Sequence, residues 1–294
     1  MSNAKSPVEA PVALIAGPTA SGKSDLAVRL ALRLNDGNRR AVVINADSAQ
    51  VYADLSIVSA RPTTDEMKGV EHRLFGTWDG SVACSAADWA EAAKTEIAAL
   101  HADGAVPILC GGTGLYMRTL LEGIAPVPTI EPEVRDAVRS LSQRDARTAL
   151  EVEDPLAAAG LAPADQKTGG IGDGIQLHPL VTLPDRDWLN ERCDRRFVRM
   201  MDAGAEEEIA ALLQRNLDPA LPVMRAIGVR EIAAWLEGDL SRAEAIDAGQ
   251  TATRRYAKRQ YTWFRHQPPE SWPRIESEHI PIEDIFVSLL RKQG

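Results

Sequence analysis

The octapeptide from Gly17 to Ser24 contains the clearest chemistry in this 294-residue chain. Its sequence, GPTASGKS, fits the pattern G-x-x-x-x-G-K-[ST], and it stands between an apolar run at residues 12–16 and leucines at helical spacing. In that setting backbone N–H groups converge on a phosphate, Lys23 adds a full positive charge, and the Ser24 hydroxyl can bind Mg²⁺. The pattern predicts a phosphate-binding loop made of Gly17, Pro18, Thr19, Ala20, Ser21, Gly22, Lys23 and Ser24.

A carboxylate follows the next apolar run of the chain. The segment NADSAQVY covers residues 45–52, directly after the apolar run at residues 41–44. A carboxylate at a strand end that faces a phosphate-binding loop serves as a metal ligand through water or as a general base. The alternative is that Asp47 caps a turn through its own backbone.

A third polar loop, GGTGLY at residues 111–116, follows the apolar run at residues 106–110. It places backbone amides and the hydroxyl of Thr113 at a strand end, although a tight strand-to-helix turn would explain its glycines equally well. Ligands of parallel α/β sheets bind beyond the carboxyl ends of the strands. We therefore expect the phosphate loop, Asp47 and Thr113 to meet in one crevice.

Strands and helices alternate around these loops. A capping box at Ser85–Asp88 begins a helix that ends before Gly104. The pattern predicts an α/β fold, a P-loop NTPase-like parallel sheet flanked by helices. We expect residues 1–120 to form the first part of this core. Residues 121–176 should form a small, mostly helical insertion with a flexible glycine-rich run at 167–174, and residues 177–294 the second part of the core with basic C-terminal helices.

Charge is unevenly distributed. The net charge of −9 argues mildly against a nucleic-acid partner, yet residues 251–267 contain no acid and interleave four aromatic residues with bases. The basic residues of this stretch are Arg254, Arg255, Lys258, Arg259 and Arg265. Such a local basic face is compatible with RNA binding.

The apolar stretches and the cysteines of the chain indicate where the protein acts. No apolar stretch approaches the roughly 20 residues of a membrane span, so no membrane association is expected. The three cysteines are far apart and lack metal-ligand spacing, which indicates buried thiols in a reducing cytosol. We expect a cytoplasmic protein that acts as a monomer.

Two further motifs contain basic side chains. RAIGVR at residues 225–230 places two guanidinium groups five residues apart, about 140° apart if the segment is helical, so they should serve different partners. Arginine is suited to bidentate phosphate contact, but a solvated helix face is the simpler alternative. His72 is expected to be a structural, hydrogen-bonding histidine.

Together these segments resemble the tRNA dimethylallyltransferase (isopentenyl-adenosine transferase) family. The resemblance covers most of the chain and is specific as a set, because no common P-loop kinase combines DSAQVY, GGTGLY and AKRQYTWFR. The matching stretches are GPTASGKS at 17–24, DSAQVY at 47–52, the segment around His72, SAADW at 85–89, GGTGLYMRTLL at 111–121, PEVR at 132–135, RAIGVRE at 225–231 and AKRQYTWFR at 257–265.

The resemblance implies transfer of a dimethylallyl group from dimethylallyl diphosphate to N6 of the adenosine 3′ of a tRNA anticodon, with release of pyrophosphate. Asp47 would be the general base, Thr113 would orient it and the adenine amino group, and Lys23, Arg230 and Mg²⁺ on Ser24 would stabilise the leaving group. The anticodon stem-loop is expected to contact Asp47, Ser48, Ala49, Gln50, Thr113, Arg135, Arg225, Ala226, Ile227, Gly228, Val229 and Arg230.

The chain departs from the family inside the insertion. The family continues from a segment like residues 154–165 into an arginine-rich helix, whereas here Gln166 and Lys167 lead straight into the glycine-rich run. Roughly two dozen residues of the family pattern have no counterpart here, so either the insertion is shortened or a mobile segment is missing from this sequence.

Three other functions stay open on the sequence: an adenylate isopentenyltransferase acting on free AMP or ADP, a small-molecule P-loop kinase with the insertion as its lid, and a non-catalytic RNA-binding module. The basic helix and the insertion favour tRNA over a free nucleotide.

Overall fold

The computed structural model describes residues 10–124, 167–276 and 281–291. Six parallel strands form the main sheet in the order β3-β2-β4-β1-β7-β8, and β5 pairs with β6 in a separate antiparallel ribbon. The strands are β1 (Pro11–Ala16), β2 (Ala41–Asn45), β3 (Glu71–Arg73), β4 (Val106–Gly111), β5 (Gly123–Ile124), β6 (Thr168–Gly169), β7 (Gln176–Thr182) and β8 (Arg274–Ile275).

Helices cover both faces of the main sheet. They are α1 (Lys23–Asp36), α2 (Thr64–Met67), α3 (Ala86–Ala102), α4 (Gly114–Glu122), α5 (Arg186–Asp202), α6 (Ala205–Gln214), α7 (Val229–Leu236), α8 (Arg242–His266), α9 (Ile282–Ile285) and α10 (Val287–Leu290). Within the described ranges no helix is long and apolar enough to cross a membrane.

The predicted α/β fold with a helix-flanked parallel sheet is confirmed. Residues 12–16 of β1 are completely buried, as expected for a strand that is covered on both faces. Leu26, Leu30 and Leu34 of α1 belong to the apolar layer on one face of the sheet, and Trp89 of α3 belongs to the layer on the other. The capping box between Ser85 and Asp88 forms at the start of α3, as its sequence predicts.

The two long helices α5 and α8 pack closely against each other. A Cβ atom on Gly249 of α8 would lie 2.0 Å from Cζ of Phe197 on α5, so only glycine fits there. The Gln250 amide of α8 donates to the Asp194 carbonyl of α5 at 3.2 Å. This contact keeps α8 beside the carboxyl ends of the strands.

Residues 125–166, which include most of the predicted insertion, lie outside the described ranges. The glycine-rich run that follows them was expected to be flexible, but the structure pairs Gly169 with Gly123 in the β5–β6 ribbon. The Ile171 N–H also donates to the Leu120 carbonyl at 3.0 Å. A Cβ atom on Gly170 would lie 2.5 Å from the Leu121 carbonyl oxygen, so these glycines allow close backbone packing.

The RAIGVR motif does not lie on one helix. A short 3-10 helix ends at Arg225, Gly228 adopts φ 97°, and α7 begins at Val229. The left-handed conformation of Gly228 interrupts the helical backbone between the two arginines, so the helical angle between them does not apply.

Candidate active site

The phosphate loop connects β1 to α1 and is shaped by close contacts. A Cβ atom on Gly17 would lie 2.1 Å from Thr182 Oγ1 of β7, so only glycine allows this approach. Gly22 caps α1 with φ 87°. Lys23 Nζ donates to the Pro18 carbonyl at 3.1 Å, and burial lowers the pKa of Lys23 although nearby Asp47 opposes the shift. The loop therefore holds a buried ammonium group beside a helix N-terminus, an arrangement suited to binding an anion.

Asp47 is held rigidly after β2. Its N–H donates to Asn45 Oδ1 at 2.9 Å, and the Trp89 indole N–H donates to the Asn45 carbonyl at 2.8 Å. Asp47 Oδ1 accepts the Ala49 N–H at 3.0 Å, which is the turn-capping bond considered as an alternative. Oδ2 makes no hydrogen bond within the described part of the chain. One carboxylate oxygen thus stabilises the turn while the other can still accept a proton.

Thr113 joins the loop after β4 to the loop of Asp47. Thr113 Oγ1 accepts the Ser48 N–H at 2.9 Å and lies 3.2 Å from Ser48 Oγ. Cβ atoms on Gly112 and Gly114 would lie 2.4 Å from Gln260 Nε2 and 2.3 Å from Trp263 Cε3, both on α8. The glycines of this loop therefore let α8 approach, whereas the Thr113 hydroxyl faces Asp47's loop.

Two adjoining cavities lie at this edge of the sheet. The larger, about 570 Å³, borders Lys23 and Ser24. The smaller, about 60 Å³, is bounded by polar and apolar side chains and borders Asp47. Arg196 and Met200 of α5 line both cavities. Thr19 of the phosphate loop also lines the smaller cavity, so the phosphate loop and Asp47 border the same space.

Arginines of α5 form a cationic wall that sequence reasoning missed. Arg192 Nε donates to the Ala20 carbonyl at 2.9 Å, and Arg196 Nη1 donates to Thr19 Oγ1 at 3.0 Å. Burial lowers the pKa of Arg196, while Asp47 raises it. The available signal was the spacing of Arg192, Arg196 and Arg199, which puts three bases on one helix face.

Arg230, expected to stabilise the leaving group, is exposed at the start of α7 and lines neither cavity. Arg225 is also exposed, Ala226 is partly buried, Gly228 and Val229 are buried, and Ile227 borders the smaller cavity. Of this motif, only Ile227 comes close to Asp47. Arg135 lies outside the described residues.

The other residues expected to contact RNA differ in exposure. Ser48 and Ala49 are partly buried next to Asp47. The Gln50 side chain is buried and donates to the carbonyls of Ser59 at 3.1 Å and Ala60 at 3.0 Å. Its donors therefore support the wall of the site.

The basic residues of α8 lie on different faces of the helix and differ in exposure. Arg255, Lys258 and Arg259 are exposed, whereas Arg254 forms an ion pair with Asp194 of α5. Gln260 is buried: its amide oxygen accepts the Thr19 N–H at 2.8 Å and its amide nitrogen donates to the Gly112 carbonyl at 2.7 Å. This helix thus has an exposed cationic face, and from another face it contacts the phosphate loop and the loop after β4.

The site offers a metal ion few protein ligands. Among the described residues, no group of three or more His, Cys, Asp or Glu side chains could hold a metal ion. Ser24 is exposed at the start of α1 and borders the larger cavity. Mg²⁺ typically retains waters and binds substrate phosphates with few protein ligands.

His72 is structural as expected, since Nδ1 lies 2.9 Å from the Val70 carbonyl.

Comparison with known proteins places the chain among close relatives. The model of the family described as IPP transferase matches residues 50–168 and 174–267. The tRNA dimethylallyltransferase of Erythrobacter litoralis is 62% identical, with 96% of each chain covered, and that of Sphingopyxis alaskensis is 58% identical, with 96% of this chain and 98% of the relative covered.

Solved structures agree with the sequence comparison. The tRNA isopentenylpyrophosphate transferase of Bacillus halodurans has a TM-score of 0.70 at 32% identity, over 96% of this chain and 95% of its own. A eukaryotic dimethylallyltransferase described as acting on tRNA has a TM-score of 0.69 at 28% identity, over 86% of this chain and 69% of its own.

The comparison also shows that this chain lacks residues that a relative has. The match to the Erythrobacter protein extends over 304 residues, more than the 294 of this chain, so the relative has residues without a counterpart here. The family match is interrupted at residues 169–173, within the glycine-rich run.

Proposed function

The chain belongs to the IPP transferase family, and we propose that it is a tRNA dimethylallyltransferase that prenylates N6 of the adenosine 3′ of the anticodon. The observation that supports this best is the pair of adjoining cavities. The phosphate loop borders both and Asp47 borders the smaller, so a diphosphate and a base can meet there.

The transfer forms one bond and breaks one. N6 of adenine attacks C1 of the dimethylallyl group, the C1–O bond breaks, and pyrophosphate leaves with the bonding electrons. The N6 proton passes to Oδ2 of Asp47, while Oδ1 keeps its hydrogen bond to the Ala49 N–H. An adenine amino group is a weak nucleophile, so removal of its proton assists the attack.

The leaving group is stabilised by the cations of the larger cavity. Lys23 and the guanidinium groups of Arg192 and Arg196 lie around the phosphate loop, where negative charge grows as the C1–O bond breaks. Mg²⁺, held by the diphosphate and the Ser24 hydroxyl, would supply further charge neutralisation. Arg196 borders both cavities, so its guanidinium can contact the leaving group close to Asp47.

The dimethylallyl group fits the apolar part of the smaller cavity. Val58, Phe197, Met200 and Ile227 line it beside Asp47. Its volume of about 60 Å³ is small, so these side chains would enclose a short prenyl group closely.

The exposed face of α8 is suited to the RNA backbone. Arg255, Lys258 and Arg259 present positive charge on the helix that also borders Asp47's cavity. The target base would leave its stack to reach that cavity. We further propose that the enzyme acts as a cytoplasmic monomer.

One assay tests the proposal. The protein is incubated with dimethylallyl diphosphate, Mg²⁺ and unmodified tRNA, and the nucleosides are analysed by mass spectrometry. Prenylated adenosine next to the anticodon is the expected product. Prenylation of free AMP but not of tRNA would instead show an adenylate isopentenyltransferase, and ATP-dependent phosphoryl transfer without prenylation would show a kinase.

A further inference from the structure

Tyr256 lies at the centre of the site without a role in the transfer described above. It borders the same small cavity as Asp47 and is partly buried there. The Arg259 guanidinium lies over the Tyr256 ring, 5.6 Å from its centroid, and so restrains the ring from its outer side. The hydroxyl groups of Thr113 and Ser48 interact with the Tyr256 phenol.

Of these three hydroxyl-bearing residues, only Tyr256 borders the cavity of Asp47. A hydroxyl has one proton to donate and two lone pairs to accept with. Thr113 Oγ1 accepts the Ser48 N–H at 2.9 Å and donates its proton to Ser48 Oγ at 3.2 Å. With its proton donated to Thr113, the Tyr256 oxygen keeps a free lone pair, and unlike Ser48 and Thr113 it borders that cavity.

The phenol is a suitable donor to Thr113 because it keeps its proton. Burial raises the pKa of Tyr256, and the nearby Asp47 carboxylate adds to the shift. The Thr113 and Ser48 hydroxyl groups and the Arg259 guanidinium lower this pKa, but they do not reverse the direction.

Resting on the proposed function, we propose that the Tyr256 oxygen accepts the second N–H of the target adenine amino group. That amino group has two protons, and Asp47 takes only one of them. A second N–H left without an acceptor in this cavity would be a costly buried donor. Tyr256 and Asp47 would together fix the position of N6 opposite the phosphate loop.

The chain offers a matched control on the same helix. Tyr261 is buried further along α8, its hydroxyl donates to the Leu183 carbonyl at 3.3 Å, and it does not border Asp47's cavity. Tyr256→Phe and Tyr261→Phe each remove one hydroxyl from the same helix.

The test measures single-turnover prenylation of an unmodified anticodon stem-loop at saturating dimethylallyl diphosphate, with calorimetric binding of inorganic pyrophosphate as the second readout. For Tyr256→Phe we expect the rate to fall about tenfold, the effect of losing one hydrogen bond, with pyrophosphate affinity within about twofold of the wild type. Tyr261→Phe should retain the wild-type rate.

Three results would overturn the inference. One is a Tyr256→Phe rate within twofold of the wild type, and another is an equal fall for Tyr261→Phe. The third is a parallel loss of pyrophosphate affinity in Tyr256→Phe, which would assign the effect to packing. If the wild-type protein forms no prenylated adenosine, the proposed function fails first and this inference with it.

Discussion

The Gln260 amide oxygen accepts the backbone N–H of Thr19 at 2.8 Å, although 241 residues separate the two along the chain. The same amide donates to the Gly112 carbonyl at 2.7 Å. A single side chain of α8 therefore connects the phosphate loop to the loop of Thr113. Both ends of the amide are used, so its orientation is determined by the two backbones.

Gln260→Leu should loosen both loops at once. It leaves a backbone donor and a backbone acceptor unpaired in a buried place, at a cost of about 1–3 kcal/mol for each group. We expect a lower free energy of unfolding by chemical denaturation and weaker pyrophosphate binding. Gln267→Leu, an exposed glutamine at the end of the same helix, is the control. Unchanged pyrophosphate affinity in Gln260→Leu would show that the bridge is not needed to shape the loop.

Asp47→Asn should lower the rate of prenyl transfer at least ~10²-fold, the usual contribution of a general base. The asparagine oxygen can still accept the Ala49 N–H, so the turn is preserved and pyrophosphate affinity should stay close to that of the wild type. Single-turnover rates and calorimetry measure the two effects separately. A variant that fails mainly through a raised KM for dimethylallyl diphosphate would identify Asp47 as a binding residue instead.

Lys23→Ala should weaken pyrophosphate binding and slow the chemical step, because Lys23 neutralises charge that grows on the leaving group. Steady-state kinetics with tRNA and dimethylallyl diphosphate give both quantities. A near-normal kcat would place the reacting centre away from the phosphate loop.

Arg196→Gln should reduce pyrophosphate affinity about 10- to 100-fold, as expected when a charge-assisted hydrogen bond is lost. Arg195→Gln is the matched control, since Arg195 is the neighbouring residue and its side chain is 66% exposed. Calorimetric titration with inorganic pyrophosphate should separate the two variants. Equal affinities would assign Arg196 to the support of Thr19 and Ser59 alone.

Replacing Arg255, Lys258 and Arg259 with glutamine should reduce the salt dependence of tRNA binding. The slope of log affinity against log salt should fall by up to about one unit per lost phosphate contact, while pyrophosphate binding stays unchanged. Arg254→Gln should instead lower stability, because Arg254 is paired with Asp194. An unchanged slope in the triple variant would place the RNA on another surface.

Much of the site was predictable from local patterns. GPTASGKS specifies a loop between a strand and a helix, and its glycines are needed whatever else the chain does, since Gly17 has no room for a Cβ atom. The positions of Asp47 and Thr113 after buried strands predicted that they would meet, because parallel strands end at the same edge of a sheet. These inferences needed only neighbours in sequence.

The tertiary structure decided what the helices contribute. The position of Arg196 against Thr19 depends on how α5 crosses the sheet edge, and that crossing depends on the close packing of Phe197 against Gly249. Sequence patterns report which face of a helix is polar but not which loop that face meets. The sequence by itself thus determined the phosphate loop, the carboxylate and the sheet, whereas long-range packing decided which arginine, tyrosine and glutamine complete the site.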